Sequence, residues 1–140
     1  MSGARRFAGW GFVGQEVRPS AEALALLQRQ VGNPLPEAST DGFCLPRSRA
    51  FGRLGFCWER NSAARLAHCA GQSFPDLVGL RTKTQKAFPD GVAHPETPEQ
   101  VWQVRSLAAH NGWGVVPRGG GTSVVVGVTV PQGSAQSSCC

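Results

Sequence analysis

The sequence predicts an α+β fold that carries one α/β-like strand–helix–strand unit, and three observations predict it. Gly91-Val92-Ala93-His94 is a short apolar run between Pro89-Asp90 and Pro95, the punctuation expected around a brief strand. Thr97-Pro98-Glu99-Gln100 then supplies an N-cap, a Pro in the first turn and a Gln placed to reach back, a capping-box helix start. Val115-Val116 reads as the next strand and runs directly into a glycine-rich loop, Pro117-Arg118-Gly119-Gly120-Gly121-Thr122-Ser123. A parallel crossover of this kind is right-handed and leaves the loop at the carboxyl edge of the sheet, where ligands gather in open α/β sheets.

The elements follow in order along the chain. Ser20 caps a helix over Ala21 to Val31, with Leu24, Leu27 and Val31 on one face and Gly32 as its stop. Asn33-Pro34-Leu35-Pro36 makes an extended connection, and residues 41–60 mix Pro, Gly, Arg and aromatics without a period and read as loop. In the capped helix Val101, Val104 and Ala108 recur at helical spacing with Leu107 alongside. Trp102 is expected to pack on that helix, and Asn111-Gly112 ends it with a left-handed terminator. The expected division is an irregular and helical segment over residues 1–87, the strand–helix–strand unit over 88–130, and a disordered tail over 131–140. That tail is polar, low in complexity and without strand or helix pattern. Val124-Val125-Val126 and Val128-Thr129-Val130 are β-prone but lack partners in the chain, so an open sheet edge and marginal folding are expected.

The glycine loop carries the chemistry. Consecutive glycines let the backbone reach conformations closed to residues with a Cβ, and successive N–H groups in such a turn converge into an anion nest. Arg118 adds a cation, and Thr122 and Ser123 add hydroxyl donors, so a diphosphate is the natural ligand. Gly121 is followed by Thr122 rather than Lys, which excludes a Walker A loop, and Val124 stands where a G-x-G-x-x-G motif needs its last Gly. A plain surface turn is the alternative reading.

Composition narrows the classes. The 140-residue chain has a net charge of +5, yet Arg5, Arg6, Arg18, Arg29, Arg47 and Arg49 are scattered and no nucleic-acid motif accompanies them. No nucleic-acid partner is expected, and a plain solvated surface, a phosphorylated substrate or an anionic membrane surface suits the charge. Cys44, Cys57, Cys69, Cys139 and Cys140 are odd in number, with no signal peptide before them, which points to a reducing compartment and a cytoplasmic protein. The spacing of Cys44, Cys57 and Cys69 does not fit a zinc site, and inert or buried thiols are expected. His68, His94 and His110 have no convincing catalytic partner, His110 falling in the last helical turn where the dipole favours a cation. No catalytic or metal-binding residue is assigned. No apolar run is long enough to span a membrane, and the chain carries no peroxisomal signal.

Three segments together resemble one family. Pro89-Asp90-Gly91-Val92, the capped helix and Pro117 to Ser123 resemble the N-terminal half of the PCMH-type FAD-binding domain of FAD-linked oxidases, the vanillyl-alcohol oxidase superfamily. Phe7-Ala8-Gly9-Trp10-Gly11-Phe12 and Arg65-Leu66-Ala67-His68-Cys69-Ala70-Gly71, followed by Phe74 to Arg81, resemble segments of alkylglycerone-phosphate synthases, the ether-lipid branch. The resemblance implies FAD as cofactor, with Pro117, Arg118, Gly119, Gly120, Gly121, Thr122 and Ser123 against its diphosphate. It also implies a lipid substrate, or a hydroxy acid if the chain belongs with the lactate and glycolate oxidases, and a homodimer for the full-length enzyme. Val126 falls where many relatives have Gly. The family's cap domain and catalytic residues have no counterpart here, and the chain contains no Tyr. The expectation is therefore a truncated and inactive product whose sequence leaves the family pattern near Val128, through a frameshift, an alternative exon or a gene-model error.

Overall fold

A cap at each helix start sets the architecture. The computed structural model describes residues 3, 6–15, 17–34, 39–49, 57–132 and 137–139. Helix α1 spans Ala21–Val31, with the Ser20 side chain accepting from the Ala23 N–H as its sequence predicts. Helices α2 (Ser62–Ala67) and α3 (Phe74–Arg81) were not expected, and both are capped by the residue before them, Asn61 and Ser73. Helix α4 spans Pro98–Asn111 and stops at Gly112, whose φ of +67° is the left-handed terminator expected there. The Thr97 hydroxyl accepts from the Gln100 N–H, but the Gln100 side chain accepts from the Glu96 N–H, one residue earlier than a strict capping box.

The sheet is small and mixed. Strands β1 (Trp58–Glu59), β2 (Gly91–Ala93), β3 (Gly114–Val116) and β4 (Ser137–Cys139) lie in the order β1-β2-β4-β3. Strand β1 runs antiparallel to β2, with Trp58 opposite Ala93, and β4 runs parallel to both β2 and β3. The predicted strands of the β2–α4–β3 unit are therefore parallel, but β4 fills the gap between them. Two expectations change here. Trp58–Glu59 is strand inside a stretch read as loop, and Ser137–Cys139 is strand inside a stretch read as disordered tail. Backbone hydrogen bonding to two neighbours supplies what the polar tail sequence does not signal.

Two apolar clusters hold these parts. Ala8, Leu66, Cys69, Ala70 and Leu80 form one, backed by Phe7, Phe43 and Phe88, whose rings meet edge to face. Ala64, Val92 and Val130 form the other, beneath the sheet. Cys69 is fully buried, whereas Cys44 and Cys57 are exposed. The faces of α1 and α4 are less engaged than their patterns imply. Among the residues of α1 none is buried, and on α4 only Val104 and Ala108 are. Trp102 does not pack into a core: it is 63% exposed and is covered by the Arg105 guanidinium, 4.9 Å from the ring centre.

The valine-rich stretch after the glycine loop is not strand. Val124 to Val126 are exposed and turn back, while Val130 is buried and its N–H donates to the Cys69 carbonyl. The turn wins over β-propensity because it docks this stretch on the chain before α3. Among the described residues no helix is long and apolar enough to cross a membrane.

Candidate functional site

The glycine loop leaves the carboxyl end of β3 and folds against the connection between α2 and α3. Gly121 is buried with a φ of +69°, and a Cβ there would stand 2.8 Å from the Arg118 Nε. Arg118 thus lies across its own loop, and its Nη1 donates to the Ala70 carbonyl over 2.8 Å. The facing backbone is as close. A Cβ on Gly71 would meet the Ser123 carbonyl oxygen at 2.8 Å, and the Gln72 N–H donates to that same oxygen. Glycine at 71 and 121 lets two backbone segments pack with no side chain between them.

A buried carboxylate locks the contact. Asp76 accepts from the Ser73 N–H and hydroxyl in the capping box of α3 and from the Thr129 hydroxyl over 2.6 Å. It ties the start of α3 to the chain beyond the loop, 53 residues away in sequence.

A third segment closes the site. The opening residues fold back, the Arg6 N–H donating to the Gly11 carbonyl, and the Arg81 Nε anchors them through the Ala8 carbonyl. Together the three segments enclose a cavity of about 490 Å³. Phe7, Trp10 and Phe12 form one wall, Ala70 to Gln72 another, and Arg118, Gly120, Gly121 and Thr122 the third. Four of the seven residues singled out in the loop thus line one cavity; Pro117, Gly119 and Ser123 do not. The Ser123 hydroxyl accepts from the Gly127 N–H, which leaves its own proton free to donate elsewhere. Sequence reasoning passed over Gln72. Its Oε1 is buried with no hydrogen-bond partner, an acceptor without a donor in the cavity wall.

None of the three histidines lines the cavity. The His68 Nδ1 is 2.8 Å from the Ala64 carbonyl, which can only accept, so this nitrogen carries the proton. Burial holds the His68 imidazole below its ordinary range, with the Arg118 and His94 charges acting in the same direction. His94 meets the His68 ring edge to face and pairs through Nε2 with Glu59 at 3.4 Å. His110 is exposed in the last turn of α4. Among the described residues no three His, Cys, Asp or Glu side chains stand close enough to share a metal ion.

No family model matches the chain. Over 62 residues it is 34% identical to the alkyldihydroxyacetonephosphate synthase of Dictyostelium discoideum. That stretch is 44% of this chain and 10% of the relative. A solved structure of alkyldihydroxyacetonephosphate synthase superposes with a TM-score of 0.71 at 20% identity, covering 96% of this chain and 32% of that one. Another gives 0.62 at 22% identity, covering 72% and 20%. The chain resembles part of an alkyldihydroxyacetonephosphate synthase. Glycerone is dihydroxyacetone, so this is the enzyme type whose segments the opening and the His68 region resemble. The α+β fold is that of the matching part, and the chain spans a tenth of the curated relative and at most a third of the solved structures.

Proposed function

We propose that this chain is the diphosphate-binding portion of an FAD-dependent enzyme of the alkylglycerone-phosphate synthase type, acting on lipid substrates in ether-lipid synthesis. The observation that carries the reading is convergence: the opening aromatics, the 65–72 segment and the glycine loop, distant in sequence, wall one cavity. The residues present fit the cofactor. Gly120 and Gly121 bring the backbone of the glycine loop to the cavity as an anion nest requires, and Thr122 and Arg118 add a hydroxyl and a cation. Gln72 offers its orphaned Oε1 to an N–H of the bound group, and Phe7, Trp10 and Phe12 give that side an apolar wall. Bound FAD would supply an electrophilic, redox-active ring for the exchange of an acyl group for a fatty alcohol. This chain's residues bind and orient; none is assigned a catalytic role, and the 140-residue chain is expected to show no turnover.

Titrating FAD into the chain and following flavin fluorescence tests the reading. The expected result is one site per chain, competed by pyrophosphate and weakened about tenfold or more in Arg118→Ala, the scale of one lost charge-assisted hydrogen bond. A folded chain that leaves flavin fluorescence unchanged overturns it. Binding of pyrophosphate without FAD would instead assign the loop to a non-enzymatic anion module.

A further inference from the structure

A second cavity, of about 400 Å³, lies at the other end of the sheet. Phe88 and Asp90, which line it, lead into β2, whereas the glycine loop leaves β3. Since β2 and β3 both run parallel to β4, the two cavities sit at opposite strand ends, and they share no lining residue. Arg47, Arg49 and Lys86 reach this recess from two separate segments, and all three are exposed. Among the described residues no carboxylate pairs with any of them.

The carboxylate that lines the recess is already engaged. Asp90 is buried, and its Oδ1 accepts from the Arg49 N–H at 3.2 Å. Behind it lies Arg65, 3% exposed, whose Nε donates to the Pro89 carbonyl and whose Nη2 is buried with no hydrogen-bond partner. Burial lowers the Arg65 pKa, the Asp90 charge opposes this and Arg60 adds to it, so the three groups share one field. Arg60 is tethered through the Ser48 hydroxyl, which itself donates to the Asp90 carbonyl. Arg65 thus meets the charge of Asp90 from inside, and Arg47, Arg49 and Lys86 are left in excess in the recess. Cations gathered in one recess repel one another, and a bound anion relieves that repulsion.

We infer that this recess is a second anion site, distinct from the glycine loop, and that it takes a phosphomonoester group. Two arginine forks beside a lysine suit a dianion with several acceptor oxygens better than a single carboxylate. The phosphate could be carried by a small soluble molecule or by a lipid headgroup.

Calorimetric titration of the full 140-residue chain with inorganic phosphate at constant ionic strength tests the site. Sedimentation with phosphatidylcholine vesicles, with and without phosphatidic acid, separates the two sources. In the variant Arg47→Gln/Arg49→Gln/Lys86→Gln, phosphate or vesicle affinity should fall at least tenfold. A variant that removes as much charge elsewhere, Arg18→Gln/Arg29→Gln/Arg105→Gln, should bind like the wild type. Arg118→Ala should leave this binding intact, which keeps the glycine loop out of the result. Backbone ¹⁵N shifts of the wild type on adding phosphate should move at residues 47–49 and 86–90, a readout that needs no variant. Phosphate binding without vesicle binding assigns a soluble ligand, and vesicle binding that requires phosphatidic acid assigns a headgroup. Equal binding by the two triple variants, or no binding in either assay, overturns the inference.

Discussion

Val126 has a φ of +62°, and a β-branched residue in the left-handed region crowds its own carbonyl oxygen. Its turn is nevertheless closed on both sides. The Thr129 N–H donates to the Val126 carbonyl, and the Gly127 N–H to the Ser123 hydroxyl. The family resemblance implies a glycine at this position, so Val126 makes the exit of the loop bulkier than that pattern. The left-handed conformation costs a non-glycine residue about 1–2 kcal/mol. A glycine recovers that cost but makes the unfolded chain freer by about 0.5–1 kcal/mol. The side chain is exposed, so its packing adds little to the balance. Val126→Gly should therefore raise the unfolding free energy by about 1 kcal/mol or somewhat less, read as a higher urea midpoint at unchanged slope. A lower midpoint would mean that the valine's contacts outweigh its backbone strain.

At the scale of elements, α3 shows how one cap organises the site. Ser73 and Asp76 satisfy each other at the helix start, and Asp76 also holds Thr129. Removing the serine hydroxyl leaves the Asp76 N–H without its cap, and Ser73→Ala should cost about 1–2 kcal/mol. Asp76→Ala strands the buried Ser73 donors and releases the half-buried Thr129 hydroxyl, and should cost about 3 kcal/mol, with the 123–130 turn losing hydrogen-exchange protection first. Equal loss in the two variants would show that Thr129 contributes nothing to the tie. The elements legible in the sequence, α1, β2, α4 and β3, all carry local marks: Ser20 or Thr97 before a helix, Gly32 or Gly112 after it, Pro around a short apolar run. The mark for α3 was also present, since Ser73-Phe74-Pro75-Asp76 is a capping box with Pro in the first turn. Helix α2 is only 6 residues long, and β1 and β4 owe their form to pairing with distant residues, which no local pattern encodes. The same divide runs through the candidate sites. The glycine loop writes its chemistry into consecutive residues, whereas Gln72, and the meeting of Arg47 with Lys86, exist only once the chain is folded.

On the scale of the whole molecule, His68 stands where the parts meet. It follows α2, adjoins the main apolar cluster through Cys69, feels the Arg118 charge from the glycine loop and faces His94 at the end of β2. Burial foremost, then Arg118 and His94, push its pKa below the ordinary 6.5, while the Ala64 hydrogen bond and Glu59 oppose the shift without reversing it. In the pH interval between its folded and unfolded values the unfolded chain binds more protons, so stability rises with pH across that interval. The contribution is complete above the unfolded value and is lost as pH falls through the folded one. Lowering pH from about 7.5 to about 5.5, a range in which ordinary carboxylates stay ionised, should therefore lower the urea midpoint. His68→Gln keeps a donor for the Ala64 carbonyl but cannot titrate, so its midpoint should change less over the same range. The Ala64 bond is local, but the effect of the Arg118 charge depends on the loop lying against the 67–72 segment. Arg118→Ala should accordingly reduce the pH dependence without abolishing it, because burial remains. Were the His68→Gln midpoint to fall as steeply as the wild type's, the proton taken up on unfolding would belong to another group, and the loop and sheet would not be coupled through this imidazole.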